Sequence, residues 1–412
     1  MTPAASDSHL PAVIVGASTA GLHTAWLLAQ SGRPVILCEA SEELGPPART
    51  LIITARLADA LGFSPAEAIA NRPSNLQLAS PGRTVALRLR EPDLIVEREK
   101  LVRLLAARAA AAGVEIRPGT RFVGLEPGPD GLHLHFERSD GSRLEPLRTH
   151  TLIGADGVAS AVSRAALGNM PAAISLAQAI VALPAWAPAT DTQVWFDPES
   201  TRYFYWLIPE SPARAAVGLI DDDERRARES LDRFLVLQGL QALEYQEARV
   251  ASYVHRGAAQ RMLPGGRILL VGDAAAHVKM STVGGAVTGF WGARAAARAV
   301  LRGTSYEREL AALRWDLGLH LLVRRVLNRF TAADYDEMLA LIDRRARGIL
   351  TAHTRDEIGW LLVPALLAQP RLLPLAVRSL LRGAAAAQER GNAMGCPRLS
   401  WQSGSRGGHR AP

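Results

Sequence analysis

The stretch Val13-Ile14-Val15-Gly16-Ala17-Ser18-Thr19-Ala20-Gly21-Leu22 decides the fold. A short apolar run, Ala12 to Val15, enters a glycine-bearing loop, and Leu22 to Gln30 leaves it with helical periodicity. Val35 to Cys38 is apolar again, so the opening reads as β-α-β. In such a unit the helix N-terminus turns free N–H groups and the positive end of its dipole toward the loop, a setting for a pyrophosphate. Gly16 permits the tight turn, and Gly21 lets the helix pack closely on the strand. Glu39 ends the second strand, where its carboxylate can accept ribose hydroxyls and disfavours a 2′-phosphate. Ser18 replaces the second glycine of the dinucleotide pattern, so either its hydroxyl bonds the pyrophosphate or the loop sits wider. The alternative is a plain βαβ turn without ligand, but strand, loop, helix, strand and acid occur here together.

Two later stretches repeat the strand-to-loop corner. Leu152-Ile153-Gly154-Ala155-Asp156-Gly157 runs from a strand toward a helix, and Ile268-Leu269-Leu270-Val271-Gly272-Asp273 ends a second strand. Each sets a carboxylate at a strand end, where α/β sheets bind ligands. Either one alone equally suits a helix-capping aspartate. Three such corners in one chain point to one long ligand held at three places.

Between the corners, Glu97 to Ala112 reads as a helix, Val114 to Ile116 as a strand, and Arg121–Leu125 with Leu132–Arg138 as strands joined by Pro-Asp-Gly. From about Ile174 to Ile220 the pattern turns to alternating and aromatic segments, as expected for antiparallel strands of a second domain. A charged helix over Asp223–Leu237, a buried strand over Arg267–Val271 and a helix over Ala286–Leu301 follow, and the chain past Tyr306 is mostly helical. The stretch from Trp360 to Leu381 is strongly apolar. Pro364, Pro370 and Pro374 and two arginines interrupt it, so a pair of short packed helices, or a membrane-grazing segment, is expected over a spanning helix.

The 412 residues suit two or three domains. With 48% hydrophobic and 21% charged residues the chain reads as globular. The net charge is +7, yet no basic run interleaves with aromatics, which argues against a nucleic-acid partner. Cys38 and Cys396 form no metal or disulfide framework, and the first ten residues have no signal-peptide pattern, so a cytoplasmic protein without a metal is expected.

The three corners together resemble the fingerprints of the para-hydroxybenzoate-hydroxylase-like flavoproteins. That resemblance implies noncovalent FAD held by Gly16, Ser18, Gly21, Glu39, Asp156, Gly157, Gly272 and Asp273, with Arg98 beside the flavin and its phosphates. Within that group, Gly272-Asp273-Ala274-Ala275-Ala276-His277-Val278-Lys279-Met280-Ser281-Thr282-Val283-Gly284-Gly285 is similar to the cofactor loop of the geranylgeranyl reductase family. Phe204-Tyr205-Trp206-Leu207-Ile208-Pro209 resembles its substrate strand. Met280 departs from the family's proline, Phe204 and Ile208 from its Tyr and Phe, and Arg164 falls one place late. The resemblance spans about residues 10–345. It implies an α/β fold: a Rossmann-like FAD-binding domain (8–75, 95–170 and 262–305), an inserted antiparallel-sheet substrate domain (76–94 and 171–261) and a C-terminal helical region (306–385). A disordered tail is expected over 386–412.

Reduction of a C=C bond by flavin requires the alkene to lie on the flavin face, water to be excluded and a proton to be supplied. Gly284 and Gly285 stand before the Ala286 helix, where backbone N–H groups suit negative charge on reduced flavin. Lys279, one of only two lysines, is a candidate partner for anionic flavin or a solvated loop residue; His277 is a candidate proton relay or a plain loop histidine. Phe204, Trp206 and Pro209 are expected at an apolar substrate. The expected activity is reduction of an isoprenoid or other apolar substrate, with NADPH among the candidate electron donors and peripheral membrane contact open. The alternatives are a monooxygenase or halogenase of the same fold, and a non-catalytic binder on that scaffold. The oligomeric state is not readable.

Overall fold

The computed structural model describes residues 10–45, 49–254, 257–356 and 358–382. The tail expected to be disordered and Cys396 lie outside the described residues.

Ala12–Val15 forms the strand at the switch point of a six-stranded sheet. The sheet order is Gln260–Leu263, Gly266–Leu270, Thr151–Gly154, Ala12–Val15, Val35–Cys38, Glu115–Arg117. All neighbours are parallel except the first pair, a hairpin. Alternation along these strands sorts their two faces. Ala12, Ile14, Val35 and Leu37 pack with the helices Thr19–Gln30, Arg98–Ala111 and Ala286–Arg302. Val13, Val15, Ile36 and Cys38 pack instead against Phe122, Leu132, Leu134 and Phe136 of a three-stranded antiparallel meander. The first helix begins three residues before the expected Leu22, because Ser18 caps it: the Ser18 hydroxyl accepts from the Gly21 N–H at 3.1 Å.

A seven-stranded sheet forms the second layer. Its order is Ala242–Ser252, Ala172–Ala182, Arg214–Asp221, Tyr205–Pro209, Asp191–Trp195, Asn75–Ser80, Arg83–Arg88. Tyr205, Leu207, Val217 and Leu219 face Leu231 and Phe234 of the amphipathic helix Glu224–Leu237. The opposite face, with Trp206, Ile208, Ala216 and Ile220, shares one continuous core with the helices of the parallel sheet. A small sheet of Thr50–Ile53, Leu94–Glu97 and Ile69–Asn71 adds a third connection.

The C-terminal region is helical: Tyr306–Glu309, Ala311–Leu327, Ala332–Ala340, Arg344–Ala352, Ile358–Ala368 and Leu372–Leu381. The apolar Trp360–Leu381 stretch forms the last two helices, bent by 106° at the break between them. No single described helix is long and apolar enough to cross a membrane.

Candidate functional site

Strand register assembles the three corners. Val15 pairs with Gly154, and Gly154 with Leu270, so three adjacent parallel strands end at the same level. Val15 also pairs with Cys38, which sets Glu39 on that level from the other side. Gly16 has φ +102°, and a Cβ there would lie 2.5 Å from the Ala155 carbonyl oxygen and 2.8 Å from the Asp156 nitrogen. The first and second corners therefore touch through main chain, and only glycine fits. A Cβ at Gly21 would lie 2.2 Å from the Gly16 carbonyl oxygen. Gly272, φ +62°, brings the third corner against Ala20 of the first helix.

The carboxylates at these corners differ in what they do. Glu39 accepts from Ala17 N–H at 2.7 Å and from Ser41 N–H at 2.9 Å, which locks the glycine loop and leaves each oxygen one lone pair. Asp156 turns into its own helix, accepting from the Ser160 hydroxyl at 2.5 Å and Val162 N–H at 3.1 Å; burial pushes its carboxyl up. Its side chain thus serves as a cap, and its main chain is what meets Gly16. Gly157 completes that turn at φ +79°. The Ser18 oxygen accepts from Gly21 N–H and so caps the helix, a role outside both readings of this serine.

Asp273 lies with two arginines. Thr50 pairs with Glu97 in the small antiparallel sheet, and this register sets Arg49 and Arg98 side by side just beyond the paired ends. Burial lowers the Arg98 pKa to about 10; repulsion from Arg49 adds to this and attraction from Asp273 opposes it. Burial also lowers Arg49, whose Nε is enclosed with no partner. Burial raises the Asp273 carboxyl against the pull of both arginines. Two enclosed cations sharing one carboxylate leave uncompensated positive charge, which a bound anion would satisfy. Arg49 was not among the sequence candidates: it sits in no glycine motif, and only the strand register reveals it.

The loop after the third corner folds back on itself. Lys279 N–H donates to the Gly284 carbonyl at 3.1 Å, and Val283 adopts φ +52°. Gly285 then opens the helix Ala286–Arg302, which no side chain caps. A Cβ on Gly285 would stand 3.3 Å from the Asp273 carboxylate, so its absence keeps the space before both groups open.

Two sequence candidates are corrected here. Lys279 is neither solvated nor free: it is buried and ion-paired to Asp356, whose other oxygen accepts from the Thr54 hydroxyl. Lysine and aspartate compensate each other in that enclosed position, so the ammonium is not available as an independent cation. His277 is 2% exposed beneath Gly292, its Nδ1 has no partner, and burial lowers its pKa to about 3. The proton-relay reading finds no partner at the enclosed Nδ1. Met280, in place of the family's proline, is fixed differently: its sulfur accepts from Tyr253 N–H at 3.3 Å and its carbonyl from Arg324 Nε at 2.9 Å. Arg324 also donates to the Arg202 carbonyl at 3.0 Å, joining the cofactor loop to the substrate sheet.

Trp206 lies on the sheet face turned toward this site. Its Nε1 donates to Gln178 at 3.2 Å, and Gln178 in turn donates to Gln246 at 2.9 Å. Gly218 leaves room for the indole, since a Cβ would stand 2.6 Å from it. Phe204 packs beside Trp206 with ring centroids 6.1 Å apart. Pro209 ends the strand, and its carbonyl accepts from Asn71 at 2.8 Å.

These features fit FAD: a methyl-intolerant cradle at Gly16, an uncapped helix N-terminus at Gly285, and an orphaned, enclosed donor on Arg49. The comparisons agree. Residues 9–301 match the family described as FAD binding domain. The digeranylgeranylglycerophospholipid reductase 1 of Methanopyrus kandleri is 30% identical over 66% of this chain and 75% of its own length. The digeranylgeranylglycerophospholipid reductase of Methanococcus vannielii is 27% identical over 68% and 74%. A geranylgeranyl bacteriochlorophyll reductase-like protein from Thermoplasma acidophilum shares the fold, with TM-score 0.73 and 18% identity over 90% of this chain and 98% of that one. The chain belongs to the FAD-binding-domain oxidoreductases, within the geranylgeranyl reductase family of the para-hydroxybenzoate-hydroxylase-like group.

Proposed function

We propose that this protein reduces C=C bonds of an isoprenoid lipid, by hydride transfer from FAD. The observation that carries the reading is the single core joining the cofactor corners to the Trp206 face of the large sheet. An apolar chain entering between those layers would lie against the same side chains that wall the cofactor. The reductase names of the curated relatives supply the substrate class.

When bound, FAD supplies the hydride. The main chain at Gly16 and the N-terminus of the Thr19–Gln30 helix would receive its pyrophosphate. Arg49 and Arg98 would contribute positive charge near it, and Asp273 would accept hydroxyls of the sugar chain. The Ala286–Arg302 helix, whose N-terminus no side chain caps, would offer its N–H groups to negative charge on the bound cofactor. Trp206 and Phe204 present an apolar wall that orients the alkene and excludes water, and Gln178 holds the indole in place.

The test is incubation of the FAD-loaded protein with a geranylgeranyl lipid and a reductant, NADPH or dithionite, under argon. Mass spectrometry should show two hydrogens added per reduced double bond. A lipid left intact under argon and hydroxylated or halogenated only in air would replace this reading with the monooxygenase or halogenase alternative.

A further inference from the structure

The most anomalous surface of the molecule lies away from the cofactor corners. Nineteen large apolar side chains stand exposed among the described residues, and seven fall within Trp360–Leu381, which marks a face and not scatter. The helix Ile358–Ala368 carries no charged side chain at all. Its outer stripe is Trp360, Val363 and Leu367, each at least 60% exposed, where a surface helix ordinarily sets polar groups. The next helix continues the pattern with Leu373, Val377 and Leu381. Gly359 N–H bonds the Asp316 carboxylate at 3.3 Å, so Trp360 and the exposed Trp315 flank the same helix seam. Beside Trp315 runs an apolar groove of about 620 Å³, with Val254, Leu319 and Leu322 in its walls and Arg325 at its edge.

We propose that this face docks the protein, in plane, on an anionic lipid bilayer. The inference rests on the lipid-reductase reading for its motive, and on three observations for its occupant. First, each helix is too short to span, and the 106° bend with Pro364, Pro370 and Pro374 fits a segment lying along a surface. Second, the charge is one-sided: 358–382 contains Arg371, Arg378 and Arg382 and no acid. Arg378 and Arg382 pair with Asp334, but Arg325, Arg329 and Arg371 have no carboxylate partner among the described residues. Third, the outer stripes lack the polar groups that a protein partner's rim would meet, whereas tryptophan and arginine beside an aliphatic stripe match the interfacial zone of a membrane.

The face is also tied to the site. Asp356, the partner of Lys279, lies just before Ile358, so a docked helix pair is held to the cofactor loop by a buried ion pair.

The test is flotation of the FAD-loaded full chain with vesicles of phosphatidylcholine alone or with phosphatidylglycerol, neither containing isoprenoid lipid. The protein should float with the anionic vesicles and be released by carbonate, as a surface-bound protein is. Trp360→Ser with Leu367→Ser should weaken binding at least about tenfold while retaining FAD. Leu373→Ser with Leu381→Ser serves as the second variant should the first lose its cofactor. Three results would overturn the proposal: no flotation of the unaltered chain, unchanged flotation of both variants, or a stripe-dependent shift in particle size without vesicles, which would make the face a contact between copies. Because the vesicles carry no substrate, failure here leaves the reductase reading standing.

Discussion

At the scale of single residues, space and charge at the cofactor corners make opposite demands. Gly16 is needed for space: its positive φ and the Ala155 carbonyl leave no room for a methyl. Gly16→Ala should cost about 1–3 kcal/mol of stability and abolish FAD retention, read by thermal unfolding and visible absorbance. Arg49 is a matter of charge. It is repelled by Arg98 and has an unpaired Nε, so it burdens the protein without cofactor. Arg49→Met should leave the cofactor-free protein equally or more stable while weakening FAD about tenfold or more, measured by titration with FAD. Equal losses of both would show that Arg49 is merely structural. A third residue-scale effect concerns pH. His23 and His277 are buried and lowered to about 3, mainly by burial. Both forms of the chain carry neutral imidazoles above about pH 6.5. Below that the unfolded chain takes up the protons first, so each histidine should remove about 1.4 kcal/mol of stability per pH unit down to its folded value. Urea midpoints measured at pH 7.5 and 5.5 should show the loss, and His23→Leu should reduce it.

At the scale of elements, the Lys279–Asp356 pair joins the cofactor loop to the segment before the apolar helices, and Thr54 adds a tie to the first domain. Removing one partner leaves a buried, uncompensated charge, so Lys279→Met or Asp356→Asn should each cost about 3–5 kcal/mol. Changing both, Lys279→Met with Asp356→Leu, should cost far less than the sum, a non-additivity that denaturant unfolding measures directly. The lysine pulls the Asp356 carboxyl below its ordinary value despite burial. The pair therefore contributes fully above about pH 4 and is lost as acid protonates Asp356 below that range.

The elements also show what the chain text discloses. Gly16, Gly21, Gly272 and Gly285 were legible because a tight turn or a helix start writes itself into a few adjacent residues. The Trp206 strand was legible through its aromatic pattern. Arg49 and Asp356 were not. Arg49 gains its meaning from the pairing of Thr50 with Glu97, and Asp356 from a lysine far back in the chain. Local periodicity carries no record of such long-range register. Ser18 looked like a defect in a glycine pattern, yet its φ of −67° needs no glycine and its hydroxyl supplies the cap. Asp156 illustrates the reverse: the motif is where it was expected, while its carboxylate serves the following helix.

At the scale of the whole molecule, the parallel sheet and the large antiparallel sheet share one core, and Arg324 fastens the cofactor loop to both the substrate sheet and the C-terminal helices. Binding of FAD should therefore stabilise more than its own domain. Saturation at one hundred times the dissociation constant should add about 2.7 kcal/mol, seen as one cooperative, FAD-dependent shift of the unfolding midpoint. Two transitions, with only one shifting, would contradict a continuous core. The central claim is that the electrons carried by this flavoprotein go to a carbon–carbon double bond. The most direct measurement is a single turnover: reduce the FAD-loaded protein under argon, add one equivalent of geranylgeranyl lipid, and follow the flavin absorbance. Return of the oxidised spectrum without oxygen, matched by saturation of one double bond per flavin, is the predicted result; a flavin that stays reduced until air is admitted would contradict it.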